Sequence, residues 1–223
     1  MALEPEHPDK VFRYLRDRDH ARALVNGYVW FTTLEALRNN DHPRSDPGEG
    51  TYRLDIKRYD SAVAGAETEK LKGRLAGLFR MEGSARMVVE NIVYAQKVPD
   101  LFVMCTSSLN SKFLRRLFGE HCVRITDPQG FALTCCRAIA NHLGERAGGR
   151  CGRMQYQGRG GVDAQGPDAN HLAFMNINGH ASEKEYRMIW GPMNQHPSRT
   201  LQPVLLRVPG VERFVSIVDD GGR

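Results

Sequence analysis

The residues best placed for chemistry lie in Ala181–Trp190, which reads Ala-Ser-Glu-Lys-Glu-Tyr-Arg-Met-Ile-Trp. Tyr186, Ile189 and Trp190 favour a strand, and the polar run Asn176-Ile-Asn-Gly-His180 precedes it as a loop. Side chains alternate along a strand, so Glu183, Glu185 and Arg187 are expected on one face, with Tyr186, Met188 and Trp190 on the other. Two carboxylates about 7 Å apart work against the fold unless something uses them. The structural alternative is a solvated edge strand carrying a Glu/Lys/Arg stripe, and this segment alone does not exceed it.

Other chemistries find less support. Asp41, His42, Asp46 and Glu49 are close in sequence, but their spacing matches no standard zinc or calcium pattern. No Gly-x-Ser-x-Gly elbow or cysteine-nucleophile signature accompanies the Ser, His and Cys residues. No Gly-x-Gly-x-x-Gly follows a strand, no phosphate-loop motif is present, and Gly158-Arg-Gly-Gly161 reads as a loop. A distributed set remains: Arg13 on an early strand, Thr106-Ser107-Ser108 ending a middle strand, and Glu183-x-Glu185 on a late one. Each has a structural alternative. Arg13 can pair with Asp17 or Asp19, the hydroxyl run can lead into a helix cap, and Trp30 and Phe31 can belong to the core.

Near the start of the chain, Val11–Leu15 reads as a strand. Asp17 or Asp19 can cap a helix running to about Asn26, where Gly27 ends it. Tyr28–Thr33 is a second strand and Leu34–Asn39 a helical turn. Residues 40–50 form a long polar loop, followed by a strand over Tyr52–Tyr59. Glu67–Phe79 has the apolar spacing of an amphipathic helix, and Ala85–Gln96 is expected as helix. Leu101–Thr106 is a buried strand. Asn110 or Ser111 caps a helix over Lys112–Phe118 that stops at Gly119. His121–Thr126 is a strand, and Pro128–Leu143 a helix ending near Gly144. The glycine-rich stretch 148–170 is expected as a mobile loop, with Met154–Gln157 as a candidate strand, and His171–Asn176 as strand or helix. Gln202–Val208 and Glu212–Val218 close the chain as strands, with 219–223 a frayed tail. The expectation is one α+β domain over 1–223, its ordered core 8–218, built on a mixed or antiparallel sheet with inserted helices.

The distributed set resembles the mono-ADP-ribosyltransferase superfamily of Arg–Ser–Glu type. There an Arg on the first strand, a Ser-Thr-Ser-like middle element and a late Glu-x-Glu pair follow in this order. The middle element here is Cys-Thr-Ser-Ser, which leaves Thr106 and Ser107 as alternatives for the supporting hydroxyl. A second resemblance spans residues 11–190: Phe-Arg-Tyr, helix, Gly, Trp-Phe-Thr-Thr, a hydrophobic strand ending in Cys, and Glu-x-Glu-Tyr-Arg. It is similar to a bacterial family of unknown function with an Asn-Asp-Pro-x-Glu-Gly loop, a run split here into Asn40-Asp41 and Asp46-Pro-Gly-Glu-Gly50.

The resemblance implies an ADP-ribosyltransferase-like fold that consumes NAD as substrate and needs no metal. Glu185 would stabilise positive charge on the ribose, and Glu183 would orient or deprotonate the acceptor. Arg13 would hold a pyrophosphate or ribose oxygen. Thr106 or Ser107 would orient Glu185 or bind the ribose, while Tyr14, Trp30 or Phe31 would stack on nicotinamide or adenine. It also implies a toxin or defence effector, with an antitoxin or activator as a candidate partner. The acceptor is a macromolecule, nucleic acid or protein. The alternatives are a metal-dependent nuclease using Asp46, Glu49 and carboxylates near Glu183 and Glu185, and a non-catalytic nucleotide- or nucleic-acid-binding sensor domain.

Composition frames these readings. The 223 residues are 41% hydrophobic and 26% charged, which fits a folded chain. The formal net charge is +5, and residues 61–160 hold 15 basic against 8 acidic side chains. That surplus can draw in nucleic acid or a phosphate-bearing molecule, or serve as ordinary solubilising charge. Five cysteines without metal spacing, no apolar run of membrane length and no signal-like N-terminus lead to the expectation of a cytoplasmic protein with reduced thiols and no membrane partner.

Overall fold

Alternation along Tyr28–Thr33 shows how the sheet is built: Val29, Phe31 and Thr33 are buried while Tyr28 and Trp30 face outward. The computed structural model describes residues 7–39, 48–60, 62, 86, 88–156, 172–176, 178–194 and 199–218. At 52–56, 92, 94, 176 and 178–180 it describes the backbone alone. The described elements, in order, are β1 (Lys10–Leu15), α1 (Arg18–Val25), β2 (Tyr28–Thr33), α2 (Leu34–Arg38), β3 (Thr51–Asp60), β4 (Val88–Lys97) and β5 (Phe102–Ser107). Then follow α3 (Lys112–Phe118), β6 (His121–Thr126), α4 (Pro128–Leu143), β7 (Ala147–Arg153), β8 (Gln155–Tyr156) and β9 (Met175–Asn176). A 3-10 turn (Asn178–Glu183), β10 (Glu185–Pro192), β11 (Val204–Arg207), a second 3-10 turn (Val211–Phe214) and β12 (Val215–Val218) complete the order. The architecture is a single α+β domain on a mostly antiparallel sheet.

β5 is the hub of an eight-stranded sheet. β10 covers one edge of it along the whole Phe102–Ser107 length, and β7 follows outside β10. The other edge is shared: β2 pairs at Phe102 and Val103, β1 only at Ser107. The sheet therefore divides at Met104–Thr106, one branch running to β11 and the other through β6 to β12. On one face, α4 seals Met104, Met188 and Trp190 beneath Phe131, Ala132, Cys135 and Ile139, with Trp190 Nε1 donating to the Ala132 carbonyl at 2.8 Å. On the other face, Val103 and Ile189 meet Leu34, Tyr59, Val98, Leu172 and Phe174. No described helix is long and apolar enough to cross a membrane.

Local capping sets the helix limits. The Asp17 side chain accepts the Asp19 amide, Ser111 accepts Phe113 N–H, and Asp127 accepts Gly130 N–H. Gly119 and Gly144 follow the ends of α3 and α4 at positive φ, where a side chain is strained.

Three expectations are corrected. Residues 88–97 form strand β4, not a helix. Their β-branched and aromatic side chains suit a pleat, and β3 pairs with them from Thr51 to Asp60. Within the expected 148–170 loop, Ala147–Arg153 is strand β7, because β10 supplies a complete ladder of partners. The late strand begins at Glu185; residues through Glu183 form a 3-10 turn, and Lys184 at φ 46° breaks the pleat between them. The expected pairing of Met154–Gln157 narrows to Gln155–Tyr156, parallel to Met175–Asn176. The helix expected at 67–79, loop residues 40–47 and the tail 219–223 lie outside the described residues.

Candidate functional site

Strand register draws distant positions into one line. Phe12 on β1 pairs with Ser107 on β5, and Ser107 pairs with Glu185 on β10. One step along β10, Arg187 pairs with Cys105, so Glu185, Arg187, Cys105 and Ser107 share a face. The same face carries Ile189 and Val103 into the second core cluster.

Arg187 is 1% exposed and is the centre of this group. Its Nε donates to Glu185 Oε1 at 2.9 Å, and its Nη1 donates to Glu49 Oε1 at 2.5 Å and to the Ala173 carbonyl at 2.8 Å. Burial opposes its charge, but Glu185 and Glu49 outweigh that and hold its pKa above the ordinary value. Glu49 is buried in the Gly48–Gly50 turn, whose backbone is held by Arg38 Nε donating to the Glu49 carbonyl at 2.7 Å.

Arg13 fills the division of the sheet. Its Nη1 donates to the Cys105 carbonyl, on the stretch of β5 that neither β1 nor β2 pairs. Burial lowers its pKa, opposed by Cys105 and the Glu185 carboxylate. Arg13 and Glu185 thus act on each other electrostatically. The Cys105 thiol interacts with both. Burial pushes its pKa up and Glu185 adds to that, while Arg187 and Arg13 oppose.

The hydroxyls have structural partners. Ser107 Oγ donates to the Glu183 carbonyl at 2.7 Å and accepts the Leu109 amide at 3.0 Å. Thr106 Oγ1 donates to the Tyr186 carbonyl at 2.6 Å. Together with Ser108 N–H donating to the Lys184 carbonyl at 3.1 Å, they pin the corner by which the chain enters β10. Neither hydroxyl orients the Glu185 carboxylate in this geometry.

Glu183 is half-buried at that corner rather than one pleat from Glu185 on a common strand. The two still converge on Tyr156, whose hydroxyl accepts the Glu185 amide at 2.9 Å. Burial raises the Tyr156 pKa to about 12; the Glu185 N–H opposes this, and the Glu185 and Glu183 carboxylates add to it. Arg13, Tyr156 and Glu183 are each half-buried.

Two aromatic candidates are directed elsewhere. Phe31 is fully buried on the α4 side, edge-on to Trp190 and Phe102, so it is core rather than a stacking platform. Tyr14 stacks on Phe118, donates to the Leu109 carbonyl at 2.5 Å and accepts the Ser111 amide at 3.0 Å. It binds the turn before α3, not the Glu185 group. Trp30, the neighbour of Phe31 on β2, is 53% exposed and outside the group.

The residues that sequence reasoning did not assign are Arg187, Cys105 and Tyr156, and Glu49 as the partner of Arg187. Arg187 carried a signal, two residues beyond Glu185 with the same strand phase; Glu49 is 138 residues away, and nothing local links them. Among the described residues no three His, Cys, Asp or Glu side chains converge as a metal site, and Asp41, His42 and Asp46 lie outside those residues. No family model, curated protein or solved structure matches this chain.

Proposed function

We propose that the protein is an NAD-consuming transferase of ADP-ribosyl type with an ADP-ribosyltransferase-like fold, acting on a macromolecular acceptor. The observation that carries this reading is that Arg13 and Glu185 act on each other electrostatically, with Ser107 paired to Glu185 in the strand register. In the reaction the bond between ribose and nicotinamide breaks, and nicotinamide leaves with the bonding pair. Positive charge builds on the ribose, where a fixed carboxylate stabilises it. Glu185 is that carboxylate, and Arg187 fixes it. The acceptor nucleophile then forms the new bond to the ribose and gives up its proton, which Glu183 at the corner takes. Arg13 supplies a guanidinium for the pyrophosphate. Ser107 acts by holding the corner, with no contact to the Glu185 carboxylate. The basic surplus over 61–160 suits nucleic acid as acceptor, and an antitoxin or activator would be a partner of this activity.

A second reading has its own observation. Glu185 is already paired with Arg187 and its side chain is 10% exposed, which suits a domain that binds NAD without turning it over.

The test is incubation of the purified chain with NAD and a chelator, with nicotinamide release as readout. Release under chelation supports the transferase and argues against the metal-dependent nuclease. Saturable NAD binding without release supports the sensor, and neither binding nor release removes NAD from the account.

A further inference from the structure

The face of β10 that carries Glu185 and Arg187 continues to Ile189 and Gly191, where a cleft of about 440 Å³ opens. It lies between the start of β7, the chain entering β5 and the turn after β10, and its apolar surface includes Pro99, Leu101, Ile189 and Met193. Ile189 is four residues from Glu185 along an extended strand, about 13 Å, so the cleft opens beyond that carboxylate on the same face and borders the Arg187 cluster only at Ala173.

Two features of β7 shape it. Gly148 pairs with Gly191, which leaves bare peptide planes on both strands. A Cβ at Gly148 would meet only Met193 Cγ, at 3.9 Å, so nothing in the local packing requires glycine there. Arg150 pairs with Ile189 and therefore rises on the cleft side. Its side chain is exposed and, among the described residues, makes no hydrogen bond or ion pair. In contrast, Arg13, Arg38 and Arg187 are each engaged by the protein itself.

The volume lies within the range of small-molecule sites, about 300–1,000 Å³, and such sites combine apolar walls with few polar groups. Flat glycine backbone beside Pro99 and Leu101 accommodates a planar ring, and a free guanidinium selects an anion. We propose that this cleft is a second ligand site for a small molecule with a flat apolar ring and one anionic group, a phosphate or a carboxylate, held by Arg150. The inference does not rest on the NAD reaction.

The test is calorimetric titration of the full chain with AMP and, separately, with 1-naphthoate. At least one is expected to saturate a single site. Saturation by AMP assigns phosphate as the anionic group, and saturation by 1-naphthoate alone assigns carboxylate. Arg150→Ala, a change at an exposed side chain, should weaken that binding roughly tenfold or more. Gly148→Leu should abolish it by filling the cleft, and Glu185→Gln should leave it unchanged. Failure of both probes to saturate overturns the proposal. So does binding that withstands Arg150→Ala, or binding that is lost with Glu185→Gln and therefore belongs to the other cluster. Should Gly148→Leu prove unstable in thermal unfolding, the Arg150→Ala titration decides alone.

Discussion

Arg187 follows Glu185 by two residues on β10, and its Nε donates to the Glu185 carboxylate at 2.9 Å. A strand places such a pair on one face, and here that face is covered, so the ion pair is buried. The other arm of the guanidinium reaches Glu49 at 2.5 Å. The carboxylate proposed to meet the ribose is therefore held by its own strand, while Glu49 holds the holder.

Arg187→Met should expose the strength of this arrangement. It leaves Glu49 and Glu185 buried without their cation, a change that costs about 3–5 kcal/mol. Glu49→Gln keeps a hydrogen-bond acceptor and removes one charge, so about 1–3 kcal/mol is expected. Urea unfolding at neutral pH measures both, and the order of the two losses is the critical result. A smaller loss for Arg187→Met contradicts its central position.

Glu185→Gln preserves shape but removes the charge that the proposed reaction needs. Nicotinamide release should disappear. Arg187 retains Glu49 and the Ala173 carbonyl, so the loss of stability should be moderate, about 1–3 kcal/mol. Undiminished release in a folded variant would exclude Glu185 as the stabilising carboxylate.

Thiol reactivity provides a separate check on the chemistry of the cluster. Burial pushes the Cys105 pKa up, with Glu185 adding to it, and burial does the same for Cys135. Both are neutral thiols at physiological pH, and the thiolate is the reactive form. Iodoacetamide should spare both in the folded chain, whereas all five cysteines should react after unfolding. Rapid labelling at Cys105, read by peptide mass spectrometry, would reinstate a cysteine nucleophile.

Neighbouring glycines on β7 should respond differently to a methyl group. A Cβ at Gly149 would lie 2.5 Å from Trp190 Cδ1 and 3.0 Å from its Nε1, and that ring is fixed by its bond to Ala132. Gly149→Ala should cost about 1–3 kcal/mol, and Gly148→Ala within about 0.5 kcal/mol. Thermal unfolding compares them directly; equal shifts would mean that Trp190 does not set the requirement.

Acid should weaken the fold partly through Glu35. Hydrogen bonds from Lys97, Arg38 and Asn39 lower its pKa from 4.5 to about 2. A carboxylate depressed in the folded state adds stability above its unfolded pKa and loses it as pH falls through the folded value. The contribution of Glu35 is thus complete above about 4.5 and fades towards about 2. In unfolding measurements across that window, Glu35→Gln should have a shallower pH slope than the parent. Parallel slopes would refute the linkage.

Much of the local structure was legible because its causes are local. β2, α3, β6 and α4 have the bounds expected from alternation, from Ser111 and Pro128, and from the glycines that follow α3 and α4. Residues 88–97 were not legible in the same way: the expected helix is a strand, since β3 supplies the partner that decides between two admissible conformations. The glycine-rich β7 likewise becomes a strand by pairing with β10, and Gly149 is accounted for only when Trp190 is beside it.

The candidate site divides in the same manner. Sequence alone determined the residue types, the strand phase joining Glu185 to Arg187, and the order Arg13, Ser107, Glu185. Tertiary structure alone decided that the sheet divides at Met104–Thr106, that Phe31 and Tyr14 turn away, and that Lys184 parts Glu183 from the strand. It also brought Glu49 to Arg187 across 138 residues. Periodicity and capping act over a few residues and can be read along the chain. Register between strands and the pairing of buried charges depend on which distant segments exclude water together, and only the folded chain specifies that.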